Sequence, residues 1–308
     1  LSAIQAKAIA EIGLLQEGYS RVPTQNGERL YLATSLADAL AALAERGRAA
    51  SVLAGATWIM RAPLRHEPQD LSYVAISRID ELRHVDVVDH EISIGACVTH
   101  AELANALASL PECSALAQAA RGSANPAVRN VATIGGNLCA PTFPAADLVP
   151  ALICLDAELE IARPDGFERL TIERFLEIRT GIAPGWLVRR VIVPRTTTRR
   201  SAHIRLPLRK AGDYPVAIVS LAATLGPTGV VETARVAVGS VEPVARRWKR
   251  LETALVGHGL NPQRAAEQAE CLCGDFRGRE GIEAPGWYRV KVLSSLVRRA
   301  VLALQEPS

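Results

Sequence analysis

Between Arg129 and Leu148 the chain reads RNVATIGGNLCAPTFPAADL, with two adjacent glycines, two prolines and a single aspartate between flanks that read as regular structure. A short apolar run (Val131, Ala132, Ile134) enters the stretch and a longer one, Leu148 to Leu155, leaves it. Neither a long helix nor a ladder strand tolerates that density of glycine and proline. The stretch therefore has to be a shaped connection between elements, and its shape asks for a purpose.

One purpose is a backbone cradle for an anion. Glycine lets several amide N–H groups converge because no side chain blocks the approach, and threonine and asparagine add short polar groups. The chain offers this chemistry twice, at Ala54-Gly55-Ala56-Thr57-Trp58 and at Thr133-Ile134-Gly135-Gly136-Asn137. Neither loop has the spacing of the dinucleotide fingerprint or of the P-loop, which disfavours a Rossmann or P-loop nucleotide site. Two such loops, far apart in sequence, suit a diphosphate lying between two subdomains. Each loop taken singly also reads as an ordinary structural turn. Asp147 reads equally as a helix N-cap or as a ligand contact.

Length and composition bound the rest. At 308 residues, 49% hydrophobic and 22% charged, the chain matches a soluble globular protein of two domains. A net charge of +3 is too mild to argue for nucleic acid, and no apolar run approaches the roughly 20 residues of a membrane span. The opening LSAIQAKAIAEIGLLQEGYSR lacks the basic start and cleavage site of a signal peptide, so a cytoplasmic protein is expected. Paired arginines (Arg189-Arg190, Arg199-Arg200, Arg246-Arg247, Arg298-Arg299) read as solvated faces at element ends. The six cysteines are scattered; Cys271 and Cys273 alone are close, and they carry no zinc or iron–sulfur spacing. They read as buried, reduced thiols, and the chain is expected to hold no metal. The histidines show no ligand spacing, and His100 alone stands near a candidate loop.

Periodicity supplies the organisation. Ser2 to Gln16 reads as an amphipathic helix and Gly18 to Gly27 as a polar connector. Ser35 can cap a helix that Gly47 ends. Ala50 to Thr57 is a strand running into a small-residue turn, and Leu71 to Ile76 another strand. Val85 to Ala96 reads as a hairpin. Thr99 and Glu102 form a capping box for a helix through Leu107, and Ser114 to Arg121 is a further helix. Val149 to Leu155 reads as a helix, Ala157 to Ala162 as a strand, Leu170 onward as a strand-to-helix transition, and Trp186 to Pro194 as a strand. Thr196 to Arg200 reads as a polar linker. Beyond it come strands at Val216–Leu225 and Val230–Val238, then helices at Arg246–Val256, Pro262–Cys273 and Tyr288–Gln305. The resulting class is α+β, with segments 1–29, 30–195 and 200–308.

Several of these segments resemble one family. VLAGATWIM (Val52 to Met60), IGACVTHAELA (Ile94 to Ala104), VRNVATIGGNLCAPTFPAADLVPALICLDAELEI (Val128 to Ile161), GWLVRRVIVP and RKAGDYPVAIVSLAA (Arg209 to Ala223) are similar to the FAD-binding medium subunit of the molybdenum hydroxylases, the xanthine and carbon monoxide dehydrogenase group. The resemblance implies a two-lobed FAD-binding domain of the vanillyl-alcohol-oxidase (PCMH) type, followed by a small α+β domain like that of carbon monoxide dehydrogenase flavoproteins. It implies FAD held by Ala54, Gly55, Ala56, Thr57, Trp58, Thr133, Ile134, Gly135, Gly136 and Asn137, with Asp147 hydrogen-bonding it and Val188 packing near a ring. No residue is assigned acid–base or nucleophilic catalysis.

By the same resemblance, a small partner subunit carries [2Fe-2S] clusters and a large one carries molybdopterin, in a heterotrimer that pairs into a dimer of three-subunit units. Electrons pass to FAD and on to NAD+, dioxygen, a quinone or a carrier protein. Where the family has Gly-Gly-Thr-Asp this chain has Gly55-Ala56-Thr57-Trp58, an exchange that expects a negative φ at Ala56 and a stacking or obstructing role for Trp58. Two other readings use the same residues: a self-contained flavin oxidoreductase, and a flavin-free scaffold.

Overall fold

The computed structural model describes residues 29–66, 72–208 and 214–305. The amphipathic helix and connector expected before Leu30 lie outside the described residues. The first lobe is built on β1 (Leu30–Leu32), β2 (Ala50–Leu53) and β3 (Ser72–Ala75), parallel and in the order β1-β3-β2. Helix Leu36–Arg46 covers this sheet because Leu36, Leu40 and Leu43 fall on one face and are buried. Ser35 caps the helix by accepting from the Asp38 amide at 3.1 Å, and Gly47, at φ +56°, turns the chain out of it. Both ends are as the sequence predicts.

The second lobe is an antiparallel sheet of β4 (Val85–Val87), β5 (Glu91–Gly95), β6 (Glu158–Arg163), β7 (Gly166–Thr171) and β8 (Leu187–Pro194), in the order β4-β5-β8-β6-β7. The expected hairpin pairs Val85 with Ile94 and Val87 with Ile92. The capping box is complete: Thr99 accepts from the Glu102 amide, and Glu102 accepts from the Thr99 amide. Leucine, isoleucine and alanine side chains from the sheet and from helices His100–Ala106, Ser114–Gly122, Leu148–Cys154 and Ile172–Ile178 share one core.

The C-terminal unit holds β9 (Arg199–Pro207), β10 (Pro215–Leu225), β11 (Val231–Gly239) and the short β12 (Arg246–Arg247), in the order β12-β11-β10-β9. Alternation decides its faces. Leu221, Ala223, Val236 and Val238 point into a core shared with helix Leu293–Gln305. Ala222 and Ala237 point the other way, into the core of the second lobe. Strand β10 is accordingly buried from Pro215 to Ala223, as befits a strand covered on both faces. Helix Leu148–Cys154 covers the second face, and all seven of its residues are buried.

The structure corrects four sequence expectations. Strand β9 already begins at Arg199 inside the expected linker, because the Arg199 guanidinium is buried and donates to the carbonyls of Glu112, Leu155 and Pro194. The arginine pairs are not simply solvated faces. Arg189 and Arg190 both bind Glu160, which is only 5% exposed, and Arg246 and Arg247 pair with Glu242 and Glu252; Arg298 and Arg299 are exposed as expected. The last helix is two, Gly286–Lys291 and Leu293–Gln305. Cys97, Cys113 and Cys154 are buried, but Cys271 is exposed.

Candidate functional site

The first glycine loop is delivered by the end of β2. Ala54 to Trp58 turn away from the sheet, and the carbonyls of Ala56 and Trp58 accept from the Met60 and Arg61 amides to start the turn Ile59–Arg65. No described hydrogen bond uses the amides of Gly55, Ala56, Thr57 or Trp58. Ala56 sits at φ +59°, so the negative φ expected for an alanine is not what the fold requires. The position keeps the left-handed backbone suited to glycine. A left-handed residue within a run of unbonded amides is the geometry of an anion-binding nest.

The two loops meet. A Cβ placed on Gly55 would stand 1.8 Å from the Val131 carbonyl oxygen and 3.1 Å from the Ala132 Cα. Glycine at 55 thus serves the contact between the loops.

The second loop is built differently from the expectation. Thr133 is the N-cap of helix Ile134–Cys139, its hydroxyl accepting from the Gly136 amide at 3.1 Å. The Ile134 amide donates to Val98, the Gly135 amide to Ala96 and the Asn137 amide to Thr133. The four amides from Ile134 to Asn137 are therefore engaged within the protein. A Cβ on Gly135 would lie 2.8 Å from the Ala96 carbonyl oxygen, so this glycine exists for close packing against the turn after β5. The Asn137 side chain accepts from the Leu148 amide at 3.3 Å, tying the loop to the segment that carries Asp147. Arg179 donates to the Leu138 carbonyl at 2.5 Å, and Arg129 to those of Ser123 and Ala124.

Asp147 is 5% exposed and stands at the start of helix Leu148–Cys154 without capping it through its side chain. Its Oδ1 accepts from Arg205 Nε at 2.9 Å and lies 3.8 Å from His203 Nε2. Both partners come from β9 in the C-terminal unit. His100, 3% exposed, lies beneath the second loop, its backbone amide donating to the Ala132 carbonyl. Burial pushes its imidazole down to about 4, against the opposing pull of Asp147. Ser123 donates its hydroxyl proton to the Ala120 carbonyl, so at 2.6 Å it accepts from His100 Nδ1. That fixes the Nδ1–H tautomer of the neutral ring and leaves Nε2 as a buried acceptor without a partner.

Trp58 stacks in a tilted arrangement on Phe143, with centroids 4.4 Å apart, and Phe143 meets Tyr214 edge-on at 5.3 Å. The Arg65 guanidinium lies 3.8 Å over the Trp58 ring, and Arg61 donates to the Tyr214 hydroxyl at 2.8 Å. Trp58 is thus a stacking residue on one side of the first loop, with two cations beside it. Val188 is 4% exposed in the core of the second lobe, paired with Ile161, so it reaches a ligand only through its neighbours.

The donor set fits an anionic diphosphate at the first loop: a run of unbonded amides, one left-handed residue, a threonine hydroxyl and two nearby guanidiniums. Among the described residues, no group of histidines, cysteines and carboxylates could hold a metal ion. His203, Arg205 and Arg179 escaped the sequence reading. Isolated basic residues in strands or at helix ends carry no local signal of what they will face.

Comparison with known proteins gives this arrangement a family. Residues 25–196 match the model of the FAD binding domain in molybdopterin dehydrogenase, and residues 202–304 that of the CO dehydrogenase flavoprotein C-terminal domain. The chain is 27% identical over 272 residues to the 6-hydroxypseudooxynicotine dehydrogenase complex subunit alpha of Paenarthrobacter nicotinovorans, covering 88% of this chain and 92% of that protein. It is 29% identical over 279 residues to the xanthine dehydrogenase FAD-binding subunit of Escherichia coli O157:H7, covering 87% and 93% respectively. A chain of the Cu,Mo-CO dehydrogenase in its cyanide-inactivated form superposes with a TM-score of 0.81 at 25% identity, over 92% of this chain and 99% of that one. The carbon monoxide dehydrogenase of Hydrogenophaga pseudoflava that lacks the Mo-pyranopterin moiety gives 0.80 at 25% identity, over 92% and 98%. The chain belongs to the family of FAD-binding domains in molybdopterin dehydrogenases, and its relatives are oxidoreductase subunits. Its fold is the two-lobed FAD-binding type with the CO dehydrogenase flavoprotein C-terminal unit.

Proposed function

We propose that this chain is the electron-transferring flavoprotein subunit of a molybdenum hydroxylase, with a cofactor-binding segment at 30–195 and a C-terminal domain at 200–308. The observation that carries the reading is the run of unbonded amides from Gly55 to Trp58, pressed against the second glycine loop at Val131. In this reading Gly55, Ala56, Thr57 and Trp58 hold the FAD diphosphate by their backbone. Thr133, Ile134, Gly135, Gly136 and Asn137 form the wall opposite, and Asp147 offers a carboxylate to a hydroxyl. Bound FAD supplies a centre able to accept electrons singly and release them singly or in pairs.

The chain's own residues do no bond-breaking. They fix the cofactor, exclude water behind the buried helix Leu148–Cys154, and place cationic Arg61 and Arg65 beside its anionic part. The electron source is a small [2Fe-2S] subunit, fed in turn by a large molybdopterin subunit where substrate is oxidised. The acceptor belongs to the class of NAD+, dioxygen, a quinone or a carrier protein. Family membership and the relatives' names as FAD-binding and medium chains support this assembly.

The test is a visible spectrum of the purified chain, followed by release and chromatography of any flavin. FAD near one per chain is expected. A colourless protein that takes up no FAD, alone or with its partner subunits, overturns the reading and favours a scaffold.

A further inference from the structure

The seam between the second lobe and β9, where helix Ser114–Gly122 and the turn before it pack on the strand, is stitched by polar groups. Ser201 accepts from the Ala115 amide and donates to the Glu112 carbonyl. The His203 amide donates to Gln118 Oε1 at 2.8 Å. His203 itself is 7% exposed, and its Nδ1 is 2.8 Å from the Ser220 hydroxyl on β10. Its Nε2 is fully buried, has no hydrogen-bond partner, and faces Asp147 Oδ1 across 3.8 Å. A buried polar atom left unpaired is costly, and native structures rarely keep one without a use.

The tautomer follows from the neighbours. A carboxylate accepts only, so the favourable arrangement directs Nε2–H at Asp147 and lets the Ser220 hydroxyl donate to Nδ1. The gap is then about 1 Å too long for a hydrogen bond. Asp147 is also faced by Arg205, which already holds Oδ1 at 2.9 Å, and by His100, whose partnerless Nε2 bears no proton and cannot donate. His203 is therefore the donor poised to complete the carboxylate's shell. Asp147 adjoins Leu148, whose amide is held by Asn137 at the end of the second glycine loop. A displacement at Asp147 is thus passed to that loop through one peptide unit and one hydrogen bond.

We propose that His203, although it lies in the C-terminal domain, is a positioning residue for the cofactor loop: in the FAD-loaded protein its Nε2–H donates to Asp147 and fixes the Asp147–Leu148–Asn137 link. This rests on the FAD reading above. It makes the C-terminal domain a contributor to cofactor affinity and not only a neighbour.

The experiment uses the full chain. Long-range proton–nitrogen NMR on protein carrying nitrogen-15 histidine, assigned against a His203→Gln variant, reads the tautomer with and without FAD. The expected result is the Nε2–H tautomer, with that proton moved downfield when FAD is added. FAD titration followed by flavin fluorescence should show affinity about tenfold weaker for His203→Leu. His203→Gln, whose carboxamide N–H can stand in for Nε2–H, should stay within about threefold of wild type. An Nδ1–H tautomer, or a His203→Leu chain binding FAD as tightly as wild type, overturns the inference alone. A wild-type chain that takes up no FAD, alone or with its partner subunits, overturns the cofactor reading as well, so the two failures are distinguishable.

Discussion

Gly55 faces the Val131 carbonyl so closely that a side chain on one would occupy the oxygen of the other, at 1.8 Å. This contact joins two loops that come from different lobes, and neither side is a flexible side chain that can swing away. Gly55→Ala should therefore push the loops apart and destabilise the chain by about 2–3 kcal/mol, at the upper end of overpacking costs. Urea denaturation reads the stability, and flavin content of the purified protein reads the site; both should fall. Gly274→Ala is the control. Gly274 lies outside the site, is exposed, and an added Cβ there meets nothing within 4 Å, so this variant should stay close to wild type.

Ala56 holds a left-handed conformation that an alanine adopts at a cost of about 1 kcal/mol. Ala56→Gly should raise unfolding free energy, the relief of strain slightly exceeding the added freedom of the unfolded chain. A net gain of about 0.5 kcal/mol in urea unfolding is expected, with flavin affinity maintained or tighter. A loss of stability would mean that the surrounding loop has already adapted to the methyl group.

His100 gives the chain a specific acid weakness. Its folded pKa is depressed to about 4, first by burial, against an unfolded value of about 6.5. A depressed histidine leaves the folded state short of protons, so its stability is fully present above about pH 6.5 and is lost as pH falls towards 4. Between pH 7 and 5 this one group should remove about 2 kcal/mol. Urea curves at the two values, compared with His100→Gln, isolate the effect: the variant should show a shallower loss by about that amount.

Glu160 is the shared anion of Arg189 and Arg190, at 2.8 and 3.1 Å. Burial alone would push its carboxyl up, but the hydrogen bonds from Arg190 and Arg189 outweigh this and hold it below the ordinary glutamate range. Glu160→Ala leaves two guanidiniums side by side on β8 and should cost about 2–3 kcal/mol. That is less than a wholly buried pair would lose, because both arginines retain some water. Thermal unfolding at low and high salt should show part of the loss recovered by screening.

Trp58 beside the first loop offers an optical report. If FAD lies on the Gly55–Trp58 amides, titrating FAD into the chain should quench tryptophan fluorescence. Trp58→Phe should remove that quenching component while binding, followed by flavin emission, persists. Quenching unchanged in the variant would place the flavin away from this loop.

The helix caps and hairpin were legible because their signals are local. Ser35 and Gly47, the Thr99–Glu102 box and the Val85–Gly95 hairpin each need only neighbours in sequence. The family resemblance was legible from TIGGN and its flanks, and it carried the fold. What the glycines do was less legible. Gly135 reads as a cradle in sequence, yet it is demanded by the Ala96 carbonyl, which only the folded chain brings near. The left-handed Ala56 broke the rule that marks such positions with glycine. The arginines of β8 and β9 resembled surface pairs because their acceptors, Glu160 and the carbonyls of Glu112 and Leu155, lie elsewhere in the sequence. His203 carried no signal at all, since its significance is a distance to Asp147.

Helix Leu148–Cys154 is buried on every side, with the second lobe on one flank and β10 and β11 on the other. At Gly239 the Pro150 ring would lie 2.4 Å from an added Cβ, so the helix sits directly on the C-terminal sheet. Neither half of the chain can keep its interior dry once the other is removed. The two units should therefore unfold as one cooperative entity with a single sharp melting transition, and cleavage of the junction at residues 195–199 should leave the halves associated. A fragment ending there would expose the apolar flank of this helix and precipitate or bind chaperones. A flavoprotein built this way loses its cofactor loop and its C-terminal domain in the same event.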